Sequence, residues 1–243
     1  MTQKQKYVII KLSIKKYRGV LFRNKIGNKA DHAKCIVCLF IFKNLERGIV
    51  MFNTVEAKGK FIAMLTDVAQ RRKGVDKLLE WLETTDFYKA PASTRFHGSY
   101  EGGLLEHSLN VYDAFQRLFG QDGDDADSVI ITTLLHDICK TGFYTVEMRN
   151  RKNDRGEWEK VPFYAIDDQF PYGHGEKSVY LIERFVRLKT EEAVAIRWHM
   201  GGFDDAVKGG SYALTGAFEK YPLALKLHMA DMYASYMIEG NSK

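Results

Sequence analysis

Beyond Met51, apolar positions fall at helical spacing along most of the chain. Lys58 to Gln70 predicts one helix, and Val75, Leu78, Leu79 and Leu82 mark the stripe of a second. Pro91 breaks the connector from Asp86 to Phe96. Leu104 to Phe119 reads as a strongly amphipathic helix, with Leu104, Val111, Phe115 and Leu118 along one face. The acidic stretch Gln121 to Asp127 is a loop, after which Ser128 is expected to cap a helix from Val129 to Lys140. The helical rhythm then stops. Two β-rich runs between Phe143 and Ile166, turning at Asp154-Arg155-Gly156, predict a hairpin. Helices resume at Glu176 to Leu188, with Val179, Ile182 and Val186 inward. Thr190 is expected to cap the next, which ends at His199 before Gly201-Gly202. The last begins near Pro222, well suited to a first helical turn. The fold class is therefore mainly α, a helical domain over 51–243 with a small β-hairpin insertion at about 143–166.

Charge separates the first fifty residues from the rest. The net charge of the 243-residue chain is +5. Residues 1–50 hold twelve Lys/Arg against two Asp/Glu, a balance of +10; residues 51–243 hold 24 against 29, a balance of −5. The basic N-terminal segment alternates weakly, suggesting short strands, and carries none of the motifs below. It reads as a separate or non-native stretch ahead of a start at Met51, or alternatively as a nucleic-acid-binding arm. Its longest apolar run, Cys35 to Phe42, is far short of the roughly 20 residues a membrane-spanning helix needs. Three cysteines form no disulfide framework, so the expected location is the cytoplasm.

The predicted helices carry an unusual group of side chains. His107 lies on the inward face of its helix, His136 and Asp137 close the next, and Asp231 sits on an otherwise apolar face. His174 and His199 each flank a turn. A lone histidine is usually a hydrogen-bonded core or surface residue. An unpaired buried carboxylate, however, costs several kcal/mol. Adjacent helical residues point about 100° apart, so His136 and Asp137 converge on one object only near a helix end. Imidazoles and carboxylates gathered from separate helices suit a divalent metal site, and His174 extends the set to six side chains and two ions.

These motifs, in order, resemble the HD superfamily of metal-dependent phosphohydrolases. His97 to Leu109 (HGSYEGGLLEHSL) resembles the first motif of the HD-type 3′–5′ exoribonucleases, and His136-Asp137-Ile138-Cys139-Lys140 the His-Asp-Ile-Gly-Lys motif of the superfamily. Tyr172-Gly173-His174-Gly175 and Arg197-Trp198-His199-Met200-Gly201 resemble the two intermediate histidine motifs of two-metal members, and Ala230-Asp231-Met232 the closing motif. Small HD hydrolases of phages and gut bacteria are similar overall. The resemblance covers about residues 70–240. Cys139 replaces the usual glycine and is read as a packed core cysteine, with a soft metal ligand as the alternative.

The resemblance implies an HD-domain helical bundle that hydrolyses a phosphate mono- or diester of a nucleotide or short oligonucleotide with metal-activated hydroxide. Asp137 would bridge two ions, His107, His136 and Asp231 would hold one, and His174 and His199 the other. Lys140 and Arg197 would contact phosphate, each with a surface-cation alternative. His97 would donate a proton to the leaving oxygen or support a ligand. One or two transition-metal ions are expected, with Mn, Fe, Co and Zn all compatible. Two further readings remain at this stage, a non-catalytic metal-containing nucleotide- or RNA-binding module and a di-iron HD oxygenase.

Overall fold

A computed structural model describes residues 52–240. The expected strands of the basic segment, and the boundary at Met51, lie outside the described residues.

Helix α1 (Thr54–Ala69) starts earlier than the apolar spacing suggests, because the Asn53 side chain accepts a hydrogen bond from the Glu56 N–H at 3.3 Å. It is followed by α2 (Val75–Glu83) and α3 (Gly103–Phe119). The intervening connector contributes Phe87 and Tyr88 to the core, where Phe61 and Phe87 approach to 5.2 Å between ring centroids. On α3, Leu104, Val111 and Phe115 are buried as expected, but Leu118 is exposed near the helix end.

Helix α4 (Ala126–Leu135) corrects two expectations. Its cap is Asp125 and not Ser128, since the Asp125 carboxylate accepts from the Ser128 N–H at 2.8 Å. It also ends at Leu135 rather than Lys140: Asp137 leaves helical geometry (φ −102°, ψ 15°), and Ile138–Lys140 form a short 3-10 turn.

The hairpin follows, with β1 (Tyr144–Lys152) antiparallel to β2 (Trp158–Ile166) in unbroken register from Tyr144↔Ile166 to Lys152↔Trp158. Helix α5 (His174–Glu183) begins and ends earlier than expected. Helix α6 (Thr190–Trp198) is capped at Lys189 and not by Thr190, the Glu192 carboxylate accepting from the Lys189 N–H at 2.7 Å. Two short helices were not apparent from periodicity, α7 (Asp205–Lys208) and α8 (Ala213–Lys220). Helix α9 (Pro222–Tyr233) starts on Pro222 as expected and runs into a π-turn, Ala234–Ile238.

Two apolar clusters hold these helices together. One joins α1 and α2 to α3, α4 and α5 around Phe61, Leu78, Leu104, Leu134 and Ile182. The other seats α9 against α3 and α6 through Val111, Phe115, Ala195 and Leu227. Truncating a fully buried phenylalanine such as Phe61 in a core of this kind costs about 3–5 kcal/mol. The polar residues that gather beside this packing come from α3, the end of α4, the start of α5, the end of α6, and α9. No helix among the described residues is long and apolar enough to cross a membrane.

Candidate metal centre

Asp137 stands at the middle of the polar group. Its Oδ1 lies 2.8 Å from Nε2 of His174 and 3.5 Å from Nε2 of His199. Its Oδ2 lies 3.5 Å from Nε2 of His136, 3.6 Å from Nε2 of His107 and 2.6 Å from Nζ of Lys140. Asp231, from α9, adds a second carboxylate 3.2 Å from Nε2 of His107. The six side chains singled out in the sequence therefore meet in one place. The break after Leu135 makes this possible: with His136 still helical and Asp137 not, neighbours in sequence turn into the same space.

The imidazoles are oriented from behind. Nδ1 of His136 donates to the Thr133 carbonyl at 2.9 Å, and Nδ1 of His199 to the Ile196 carbonyl at 2.7 Å. With the proton on Nδ1, each Nε2 carries a lone pair. Both Nε2 atoms are buried and lack a hydrogen-bond partner. Buried polar nitrogens without partners are rare and costly. Two of them beside a carboxylate fit a cation.

The donor atoms also fall into sets whose members lie within 4.8 Å of one another: His107, His136 and Asp231; His136, Asp137 and His199; Asp137, Cys139 and His174. Cys139 is buried, as expected of a core cysteine, yet its Sγ lies 3.3 Å from Nδ1 of His174, so it also braces that ring. Imidazole and carboxylate together suit a transition metal. The residues present fit such an ion.

Electrostatics agree with that demand. Burial opposes charge on Asp137, but Lys140 and His136 outweigh it and hold the carboxyl well below its usual range. Asp231 is likewise held down against burial by His107. Burial works against charge on His107 too, yet Glu239 and Asp231 raise its pKa to about 10. His174 is raised to about 10 against burial by Cys139 and Asp137. The buried carboxylates thus draw in positive charge, which a divalent ion supplies in concentrated form.

Above this group opens a cleft of about 580 Å³, floored by His107, Asp137 and Asp231 and walled by residues such as Phe96, Tyr144, Phe203 and Tyr236. Lys140 lies on its edge, with its ammonium on Asp137. His97 also lines the cleft. Its ring centroid is 4.9 Å from that of His107, its Nε2 is buried without a partner, and burial followed by His107 pushes its pKa down to about 4. Arg197 is placed differently from the phosphate clamp suggested by sequence. It pairs with Glu176 and with Asp204 (Nη1 to Oδ2, 2.8 Å), and its guanidinium lies 4.0 Å from the centroid of the Trp198 ring, off the cleft lining.

Two residues escaped the sequence reading. Glu239 accepts from Nδ1 of His107 and from Nδ2 of Asn110, the latter at 3.0 Å. The π-turn after α9 takes up an extra residue and swings Glu239 back toward α3, a detour no periodic pattern announces. His228, on α9, donates from Nδ1 to the His199 carbonyl at 2.7 Å. Close helix approach completes the frame. A Cβ on Gly175 would overlap the Arg197 carbonyl, so glycine there lets α5 touch α6 and brings the His174 and His199 rings to 5.1 Å.

Comparison with known proteins agrees with this centre. The HD domain family matches residues 104–234, a span that includes all six clustered positions. The chain belongs to the HD domain family, the superfamily of metal-dependent phosphohydrolases. Dihydroneopterin 2′,3′-cyclic phosphate phosphodiesterase of Methanocaldococcus jannaschii is 34% identical over 86 residues, covering 32% of this chain and 32% of that protein. The chain thus matches about a third of the length of that relative. No solved structure gives a significant match.

Proposed function

We propose that this centre hydrolyses a phosphate mono- or diester of a nucleotide or short oligonucleotide with two divalent ions, which Asp137 would help to hold. The observation that carries the reading is the pair of buried, unpartnered Nε2 atoms of His136 and His199, each fixed by its own Nδ1 bond and aimed beside Asp137. His107, His136 and Asp231 would hold one ion, and His174 and His199 the other. When bound, such ions polarise phosphoryl oxygens and lower the pKa of coordinated water toward neutrality. Mn, Fe, Co and Zn all suit the donors.

The chain supplies the rest. Lys140 keeps Asp137 ionised and places an ammonium at the cleft edge, within reach of a non-bridging phosphate oxygen. His97, neutral because burial disfavours its charged form, acts as a hydrogen-bond partner to the leaving oxygen and not as a strong acid. The aromatic walls present flat faces to a planar base. Arg197 contributes indirectly, tying α5 and α6 to the turn before α7. Three cysteines without a framework favour the cytoplasm as the site of action.

The relative in Methanocaldococcus jannaschii acts, by its name, on a cyclic phosphodiester, so 2′,3′-cyclic phosphates belong among the candidate substrates. The test is metal analysis of the purified full chain, followed by hydrolysis of bis-p-nitrophenyl phosphate and a panel of linear and cyclic nucleotides. Metal-dependent turnover abolished by chelator and restored by one of the four metals is expected. Bound metal with no hydrolysis of any phosphoester would leave a metal-containing binding module instead.

A further inference from the structure

Beyond Tyr144 and Ile166, which line the cleft, the hairpin is left unused by the proposed chemistry. Successive side chains of a strand point to opposite sides, so its unbroken register sorts the residues into two faces. On one face, Arg149 and Arg151 find partners across the hairpin. Arg151 pairs with Glu159 at 3.5 Å, and Arg149 covers the Phe163 ring at 5.2 Å. The other face is left open among the described residues. Val146, Met148, Trp158 and Ile166 are each about 60–70% exposed on it (61, 59, 70 and 63%). Its charged residues are Lys152 and Lys160, and no carboxylate shares it. It is also continuous with the cleft, because Tyr144 and Ile166 begin this face and line the same wall as Lys140.

We propose that this face is a ledge for single-stranded nucleic acid, leading a phosphodiester strand from the cleft out to Trp158. The proposal rests on the phosphohydrolase reading above. The chemistry that complements an apolar, aromatic surface bearing only cations is a polyanion with flat apolar faces. Bases would stack on Tyr164 and Trp158, while phosphates meet Lys152 and Lys160. Lys152 already sits 5.3 Å over one side of the Trp158 ring, so a base on the other side completes a stack. Eight residues at about 3.3 Å each give a path of about 26 Å, room for roughly four nucleotides or more. A second copy of the chain fits less well. Two strands make a strip about 10 Å wide, hence roughly 260 Å² per partner, against about 800 Å² in a stable interface.

Full-length protein would be titrated with fluorescein-labelled, phosphorothioate-linked oligothymidylates of two and eight nucleotides, which resist cleavage, and assayed separately on bis-p-nitrophenyl phosphate. The octamer is expected to bind at least about tenfold more tightly than the dinucleotide. Trp158→Ala and Lys160→Glu should each weaken the octamer about tenfold. Neither should change dinucleotide binding or bis-p-nitrophenyl phosphate turnover. Equal affinity for the two lengths, or octamer binding unmoved in both variants, overturns the ledge. So does a dimer in sedimentation that Trp158→Ala dissociates, since the face would then belong to a second copy. Length-dependent, Trp158-dependent binding without any phosphodiester turnover would support the ledge and reject the hydrolase reading.

Discussion

Glu239 accepts a hydrogen bond from Nδ1 of His107 at 3.1 Å across 132 positions of sequence. The bond fixes the tautomer that turns Nε2 of His107 toward Asp231 and Asp137. Carboxylates that brace a metal-binding histidine in this way raise its basicity and hold its plane. Glu239→Ala is therefore expected to lower metal affinity about 10–100-fold, with Glu239→Gln less severe. Competition with a chromophoric chelator measures this directly, and unchanged affinity in both variants would remove Glu239 from the centre.

Asp137→Asn keeps the shape of the side chain and removes its charge. If Asp137 is shared by two ions, turnover should fall by orders of magnitude and at least one ion should be lost. If it only pairs within the core, metal and turnover should persist and stability should drop by about 1–3 kcal/mol. Metal content, thermal melting and bis-p-nitrophenyl phosphate rates on the same samples separate the two. A variant with both ions and near-normal rates refutes the two-metal assignment.

Glu192, in the first turn of α6, is buried and accepts from both terminal nitrogens of Arg72, at 2.7 and 2.8 Å, and from the Ser128 hydroxyl at 2.7 Å. Burial opposes its charge, but Arg72 outweighs it and the carboxyl lies below its ordinary value. A carboxyl depressed on folding stabilises fully above its unfolded pKa of about 4.3 and loses that contribution as pH falls through the folded value. Glu192→Gln should cost about 3 kcal/mol near neutrality, and the gap to wild type should narrow below about pH 4. Urea unfolding between pH 3 and 8 reads the effect. A gap that widens toward acid would contradict it.

A chain shortened to begin at Met51 is expected to keep its metal, its circular dichroism and its turnover, since all the site residues lie within 97–239. Losing nucleic-acid binding alone would assign the basic segment to that role. Losing the fold would show that it belongs to the domain.

Much of the fold was legible because the major helices bury one face, and a buried face leaves a period in the sequence. Val75, Leu78 and Leu82, or Leu104 and Val111, announce themselves in that way. Their ends were less legible. Ser128 and Thr190 are good caps in isolation, yet the Asp125 carboxylate takes the Ser128 N–H and the Glu192 carboxylate the Lys189 N–H, so each helix begins at or ahead of the residue expected to cap it. The six clustered side chains stood out because carboxylates and imidazoles on apolar helices need a reason to be there. Glu239 gave no such signal, as it reaches His107 only through a π-turn, and Arg197 looked available because its partners Glu176 and Asp204 come from other elements.

The contact of Gly175 with the Arg197 carbonyl has a mechanical consequence. Helices α5 and α6 meet there main chain to main chain, with no rotatable group as a cushion. The spacing of His174 and His199 is therefore a property of two rods in contact, and side-chain motion elsewhere cannot tune it. Warming the protein should leave that half of the centre intact until the rods separate, and its loss should coincide with cooperative unfolding instead of preceding it.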